Sequence, residues 1–182
     1  PVTWVALYRV VEAPGTVLML ARAADGERIR HDSVRMEEIS PHVVRAVIAA
    51  EDARFCEHNG FDVEAIQQAM ERNRSGGRVR GASTISQQTA KNLYLSPSRN
   101  PLRKWHEMAL TWGLEHNLRK SRILELYLNV AEFGRGIYGV QAAAQAYYGV
   151  DVDALSRATR DTRRDRRLGA GTAPVRPDAE TW

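Results

Sequence analysis

The sequence predicts a mainly α-helical protein, and three observations support this prediction. N-cap residues precede apolar runs, as at Ser40-Pro41 and Asp62, where a side-chain oxygen can accept a free backbone N–H group. Between residues 41 and 150, apolar residues recur at spacings of three and four, the period of a helix face. Glycines close several of these runs, Gly149 among them, as expected at helix C-termini.

The composition indicates one folded domain that favours anionic partners. The chain has 182 residues, of which 43% are hydrophobic and 26% charged, and this excludes a disordered chain. Its net charge of +4 favours nucleic acid, a phosphorylated substrate or an anionic membrane face. The single cysteine, Cys56, excludes an internal disulfide. No stretch reaches the roughly 18 apolar residues that a membrane-spanning helix needs.

The first helix that the sequence predicts clearly begins after Ser40. Residues 1–40 are weakly patterned, so we expect short strands or irregular structure there, around a turn at Asp25-Gly26. The helix from Pro41 is apolar on most sides and is predicted to be buried. It brings Glu51 and Asp52 to or near its C-terminal end, where the helix macrodipole disfavours negative charge and so favours proton uptake by a carboxylate.

Five more helices follow. One begins at Asp62, and its apolar face contains Ile66, Ala69 and Met70. A basic, glycine-rich loop at 76–81 precedes a helix from about Thr84 that closes at 96–98. The next two are capped by Asn100-Pro101 and Ser121, and the last spans 141–148. The apolar face predicted for the helix after Asn100 contains Leu102, Trp105, Ala109 and Trp112. The apolar face predicted for the helix after Ser121 contains Ile123, Leu126, Tyr127 and Val130.

The stretch from Arg80 to Leu95 is unusually rich in uncharged polar side chains next to Lys91. A segment that only fills a core would not carry so many, since each buried polar group needs a partner. We therefore interpret this stretch as a groove wall that binds a polar, anionic ligand. The polar residues are Ser83, Thr84, Ser86, Gln87, Gln88, Thr89 and Asn92.

Two glutamates are candidates for catalysis. Glu51 is a candidate general base, although a charged helix end would look the same. Asp52 is its neighbour and lies on another helix face, so a second carboxylate must come from elsewhere, and Glu107 is the candidate. Arg103, Lys104 and Glu107 fit either a solvated helix face or a pyrophosphate site, direct or through a metal held by Glu107.

Two other kinds of site are excluded. Gly76 to Ser83 has the glycine spacing of a phosphate-binding loop, but Ala82 stands where that loop needs lysine. The five histidines show no paired spacing typical of metal ligands, and Cys56 is interpreted as an ordinary thiol.

Five segments, in this order, resemble the motifs of peptidoglycan glycosyltransferases, enzymes found alone or fused to penicillin-binding transpeptidase domains. Because this chain has no transpeptidase half, it is most similar to the monofunctional members. The resemblance covers about residues 40–150. The segments are EDARFCEHNGFD (51–62), GASTISQQTAKNLYL (81–95), RKWHE (103–107), ILELYLNVAEFG (123–134) and GVQAAAQAYYG (139–149).

The resemblance implies a lysozyme-like lobe with a small membrane-associated jaw, at the periplasmic face of a bacterial inner membrane. It implies inverting transfer of a glycan chain from its lipid pyrophosphate to the 4-hydroxyl of lipid II. Glu51 would be the base, and Glu107 would assist the leaving group, with room for Mg²⁺ or Mn²⁺ at Glu107 and no organic cofactor. The implied substrate-binding residues are Asp52, Phe55, His58, Ser83, Thr84, Gln88, Lys91, Asn92, Arg103 and Lys104.

The resemblance also defines three segments and three alternatives. Residues 1–40 would follow a membrane anchor missing from this chain, residues 41–156 would form the catalytic domain, and the Arg-, Pro- and Gly-rich residues 157–182 are expected to be disordered. This tail is interpreted as an altered terminus that could leave an inactive variant.

Two other functions remain as alternatives to the glycosyltransferase. The second hypothesis is a lysozyme-like hydrolase, and the third is a nucleic-acid or anionic-polymer binder that uses the arginines of 157–167. Under the leading reading the partners are lipid II, the growing glycan, the membrane and cell-wall synthesis or division proteins, not nucleic acid.

Overall fold

A computed structural model of the chain describes residues 2–76, 81–95 and 101–155. Eight helices and a small sheet make up these residues. A 3₁₀ turn, Met36–Glu38, precedes α3. The helices are α1 (Val2–Leu7), α2 (Val17–Ala24), α3 (Pro41–Glu51), α4 (Val63–Arg74), α5 (Ile85–Tyr94), α6 (Pro101–Asn117), α7 (Lys120–Val130) and α8 (Val140–Tyr148); the strands are β1 (Arg30–His31), β2 (Glu132–Gly134) and β3 (Ile137–Tyr138). The mainly helical prediction is confirmed.

The expectation of short strands or irregular structure in residues 1–40 is wrong for part of that segment. Two helices lie there, and only Arg30–His31 forms a strand. A helix cap and burial stabilise α2. The Thr16 hydroxyl accepts a hydrogen bond from the Met19 N–H at 3.2 Å, and the Met19 side chain is buried. The turn predicted at Asp25-Gly26 is confirmed, with a φ of +83° at Gly26.

Helix α5 is the centre of the fold and packs against α6 and α7. Its apolar residues Ile85, Ala90 and Leu93 are buried in the hydrophobic core. Several of its polar residues are buried too and have partners inside the protein: the Thr89 hydroxyl donates to the Ile85 carbonyl at 2.8 Å, and the Ser86 hydroxyl donates to Glu115. Part of the polar character of this stretch therefore serves packing rather than a ligand.

Two predictions of buried faces are wrong. Helix α3 contains no fully buried residue, because its apolar side chains only cover the edge of the core. On α6, Leu102, Trp105 and Trp112 are 64%, 70% and 60% exposed. The buried residues of α6 include Glu107, Thr111 and Leu114, and this helix packs against α5 and α1. On α4, Ala69 is buried and Met70 is 58% exposed.

Helix α7 and the sheet follow the sequence prediction in part. The stripe predicted for α7 is buried as expected, but the helix begins at Lys120 with Arg119 as its N-cap, so the cap predicted at Ser121 is wrong. The sheet, in the order β1-β3-β2, was not predicted because its strands are only two or three residues long. Helix α8 and its left-handed cap at Gly149 are confirmed.

Within the described residues, no helix combines the length and the apolar character that crossing a bilayer requires. The predicted closure at 96–98, the helix cap at Asn100 and the tail 157–182 lie outside the described residues.

Gly139→Ala is expected to destabilise the fold far more than Gly149→Ala. Both glycines have positive φ, but a Cβ on Gly139 would lie 2.7 Å from the Asn129 carbonyl oxygen, whereas one on Gly149 meets nothing within 4 Å. Gly139 also has φ 85° and ψ 155°, a region that other residues hardly adopt. We expect a loss in unfolding free energy of more than about 3 kcal/mol for Gly139→Ala and about 1 kcal/mol for Gly149→Ala, measured by urea denaturation. Equal losses would contradict the steric argument.

Candidate active site

Two pockets meet at Glu51, the last residue of α3. The first pocket has a cavity volume of about 450 Å³ and the second about 260 Å³, and the exposed Glu51 lines both. Five of the predicted site residues line the first pocket: Glu51, Gln88, Lys91, Asn92 and Arg103. Four line the second pocket: Glu51, Asp52, Ser83 and Thr84. Glu51 therefore belongs to the walls of both pockets.

A side-chain amide and a phenol orient Glu51. The Gln88 Nε2 donates to Glu51 Oε2 at 3.0 Å, and the Tyr127 hydroxyl donates to Gln88 Oε1 at 3.5 Å. Burial raises the pKa of Tyr127, and the negative charge of Glu51 raises it further, so this residue stays a neutral phenol and a hydrogen-bond donor. Gln88, expected to contact substrate, thus has a partner in Glu51.

Asp52, Phe55 and His58 form the anchor of the loop that follows Glu51. The Asp52 carboxylate is buried and accepts hydrogen bonds from His58 Nε2 and from the Ile85 N–H at the start of α5, each at 3.0 Å. Phe55 is 1% exposed, its ring contacts His58 edge-on, and the Lys120 ammonium lies 4.5 Å from its centroid. Phe55 and His58 line neither of the two pockets.

Thr84 joins the same loop to the helix that carries Gln88. Its hydroxyl donates to the Gly60 carbonyl at 2.7 Å and accepts the Gln87 N–H at 3.2 Å, so it is the N-cap of α5. The predicted start of this helix is confirmed. Ser83, the residue before it, lines the second pocket without a hydrogen bond to the described residues.

The cations predicted to bind an anion fall into two groups. Lys91 and Arg103 line the first pocket, and neither forms a salt bridge with any residue that the structure describes. Lys104 instead pairs with Glu107, whose side chain is buried. Lys104 and Glu107 line neither of the two pockets. Unpaired cations in a pocket wall are suited to binding an anionic ligand.

The described side chains do not form a site suited to a divalent cation. Glu107 offers a single carboxylate, and the Lys104 ammonium already neutralises it. Asp52, His58 and Asp62 place one ligand atom each within 4.8 Å of the others. However, Asp52 binds His58 and the first N–H of α5, and Asp62 is the N-cap of α4. These groups are occupied by structural hydrogen bonds and do not fit an ion.

Sequence reasoning missed part of the first pocket. Leu18 and Arg22 of α2, and Glu132 and Phe133 of β2, line it together with Tyr127. The only local signal for Arg22 is one arginine within an apolar run, and nothing local shows that α2 packs beside α5.

The sequence of the chain matches known proteins over most of its length. A family model described as transglycosylase matches residues 18–160. The chain is 51% identical to the biosynthetic peptidoglycan transglycosylase of Caulobacter vibrioides over 158 residues, which cover 87% of this chain and 69% of the relative. It is 50% identical to the protein of the same name from Aeromonas hydrophila, covering 84% of this chain and 67% of the relative.

A third relative with this name, from Rhodospirillum centenum, is 49% identical and is covered over 65% of its length. The chain thus spans about two thirds of the length of these curated relatives. The matched region contains both pockets and every residue that lines them. The chain belongs to the transglycosylase family.

Proposed function

We propose that this chain polymerises lipid II, joining the lipid-pyrophosphate-linked glycan to the 4-hydroxyl of the next lipid II. The observation that supports this most directly is that Glu51 lines two pockets, and that one of them contains Lys91 and Arg103, cations without a salt bridge to the described residues. A transferase needs a base that reaches both a donor and an acceptor, whereas a hydrolase needs no cationic site for a departing diphosphate. The names of the relatives agree with this proposal.

In the proposed reaction, the donor diphosphate occupies the first pocket and the acceptor sugar occupies the second. Glu51 takes the proton of the acceptor 4-hydroxyl, and the oxygen attacks the anomeric carbon of the donor from the face opposite the leaving group. The bond to the diphosphate breaks, and undecaprenyl diphosphate leaves with the electron pair. One displacement inverts the anomeric configuration, and no covalent enzyme intermediate forms.

The other site residues take their roles from their positions. Gln88 orients Glu51, and Asp52, Phe55 and His58 hold the loop that begins beside it. Lys91, Asn92 and Arg103 contact the donor, and Ser83 and Thr84 contact the acceptor sugar. Lys104 and Glu107 form an ion pair in which only the Glu107 side chain is buried, and Lys104 follows Arg103 in the chain. We assign no step to a divalent cation.

The proposed substrate determines where the protein acts. Lipid II is anchored in a membrane, so the two pockets must open toward a membrane surface, which we place at the periplasmic face of the inner membrane. The net charge of +4 is compatible with an anionic surface.

The test of the proposed function is the incubation of this chain with fluorescent lipid II in detergent, followed by electrophoresis of the products. Longer glycan strands and released undecaprenyl diphosphate are expected. The same chain should not shorten preformed glycan strands, which a lysozyme-like hydrolase would do. Shortened strands without polymer would reject the proposal.

Lys91→Gln is expected to raise the KM for lipid II by about tenfold or more, because a charge-assisted contact to phosphate is lost. Arg74→Gln is the matched control: it removes one positive charge from the exposed end of α4, outside both pockets. Steady-state kinetics at one ionic strength compares the two. Equal effects would mean that net charge, not the pocket, attracts the substrate.

A further inference from the structure

Arg22 places a third cationic side chain in the wall of the first pocket. It comes from α2, whereas Lys91 and Arg103 come from α5 and α6. Leu18 lies one helical turn earlier and lines the same pocket. The Arg22 side chain is 38% exposed, so it is accessible from the pocket while its position is restricted by the protein.

A buried carboxylate holds the guanidinium in place but uses only part of it. Arg22 Nη1 donates to Glu27 Oε1 at 3.2 Å, and the Glu27 side chain is 10% exposed. The Nε of Arg22 is buried and has no hydrogen-bond partner among the described residues. Its Nη2 also forms no hydrogen bond with these residues. A guanidinium carries five N–H donors in a planar fork, so most of them remain for a ligand.

The charges around Arg22 do not cancel. The same Glu27 oxygen also binds Arg135, with Nη2 at 3.0 Å, so that one carboxylate serves two guanidinium groups. This leaves the trio with one positive charge. Glu132 lines the pocket nearby, yet Arg22, Lys91 and Arg103 still outnumber the pocket carboxylates Glu51 and Glu132.

We propose that Arg22 binds phosphate oxygens of the diphosphate-linked substrate in the first pocket, together with Lys91 and Arg103. The proposal rests on the proposed function. A planar guanidinium held by a carboxylate on one edge can present its other edge to two phosphate oxygens at once. Helix α2 would then act as the wall that closes the diphosphate site from the side opposite α6.

The experiment compares Arg22→Gln with Arg135→Gln. Both variants remove one guanidinium from Glu27 and one positive charge from the protein, but Arg135 is 78% exposed and does not line the first pocket. Two quantities are measured for each: the KM and kcat for lipid II, and the Kd of farnesyl diphosphate, a probe that carries the diphosphate without sugar or peptide.

Arg22→Gln is expected to raise both the KM and the probe Kd by about tenfold, with kcat changed less than about twofold, because the base is untouched. Arg22→Lys should recover part of the affinity, and Arg135→Gln should leave both constants near those of the parent. Equal probe Kd values for the two variants would overturn the proposal, and so would a parent that does not bind the probe. A parent that binds the probe but makes no polymer would instead reject the proposed function and leave the anion site standing.

Discussion

Glu51→Gln is expected to lower the rate of lipid II polymerisation by about 10²- to 10⁴-fold, the usual contribution of a general base. The amide keeps the size of the side chain and can still bond with Gln88, which lies 3.0 Å away in the parent. It cannot accept the proton of the acceptor hydroxyl. Because Glu51 is exposed, the variant should fold normally. The measurement is the initial rate of polymer formation at saturating lipid II.

Glu132→Gln is the control for this prediction. Glu132 is a second carboxylate in the wall of the first pocket, but it does not line the second pocket. Its replacement should lower kcat by less than about tenfold, since it has no part in the proton transfer. A Glu51→Gln variant that keeps more than a tenth of the parent rate would show that the base is another group.

Asp52→Ala is expected to lower the free energy of unfolding by about 3 kcal/mol or more, and activity with it. The buried Asp52 carboxylate accepts bonds from His58 and from the first N–H of α5. Its removal leaves both donors buried without a partner. Since this carboxylate also joins the end of α3 to the start of α5, Glu51 loses its fixed position beside Gln88. Urea denaturation measures the stability, and the rate of lipid II polymerisation in detergent without urea measures the activity.

Glu57→Ala is the matched control, because Glu57 is an acidic residue of the same loop whose partner is Arg54 at the surface. Its side chain is 64% exposed, and surface ion pairs of this kind contribute little. The denaturation midpoint should therefore stay near that of the parent. A loss in Glu57→Ala equal to that in Asp52→Ala would mean that any charge change in this loop destabilises the protein.

Much of the helical structure could be predicted because its signals are local. The caps Ser40, Asp62 and Thr84 bond to N–H groups two or three residues away, so the sequence around each is enough to place the helix start. The cap at Ser121 was predicted by the same rule and is wrong, since the N-cap of α7 is Arg119, two residues earlier. Thr16 caps α2 in the same way but was not predicted as a cap, and α1 and α2 pack against α6 and α5.

The burial of α6 could not be predicted from its pattern. Trp105 and Trp112 are large apolar residues that the pattern places in the core, yet both are exposed. Glu107 and Thr111 are polar, yet both are buried. A polar residue can be buried where a neighbour satisfies it, as Lys104 does for Glu107 and the Glu107 carbonyl does for Thr111. Which face of a helix meets which neighbour is a property of the whole fold.

The sequence by itself determined the helical class, most helix starts and the chemical groups of the site, because caps, periodicity and side-chain identity are local properties. Only the tertiary structure decided that Glu51 lies between two pockets, that Gln88 and Tyr127 orient it, and that Arg22 enters the wall from α2. These contacts join residues far apart in the chain. They are set by how the helices pack around α5, and no local pattern encodes that packing.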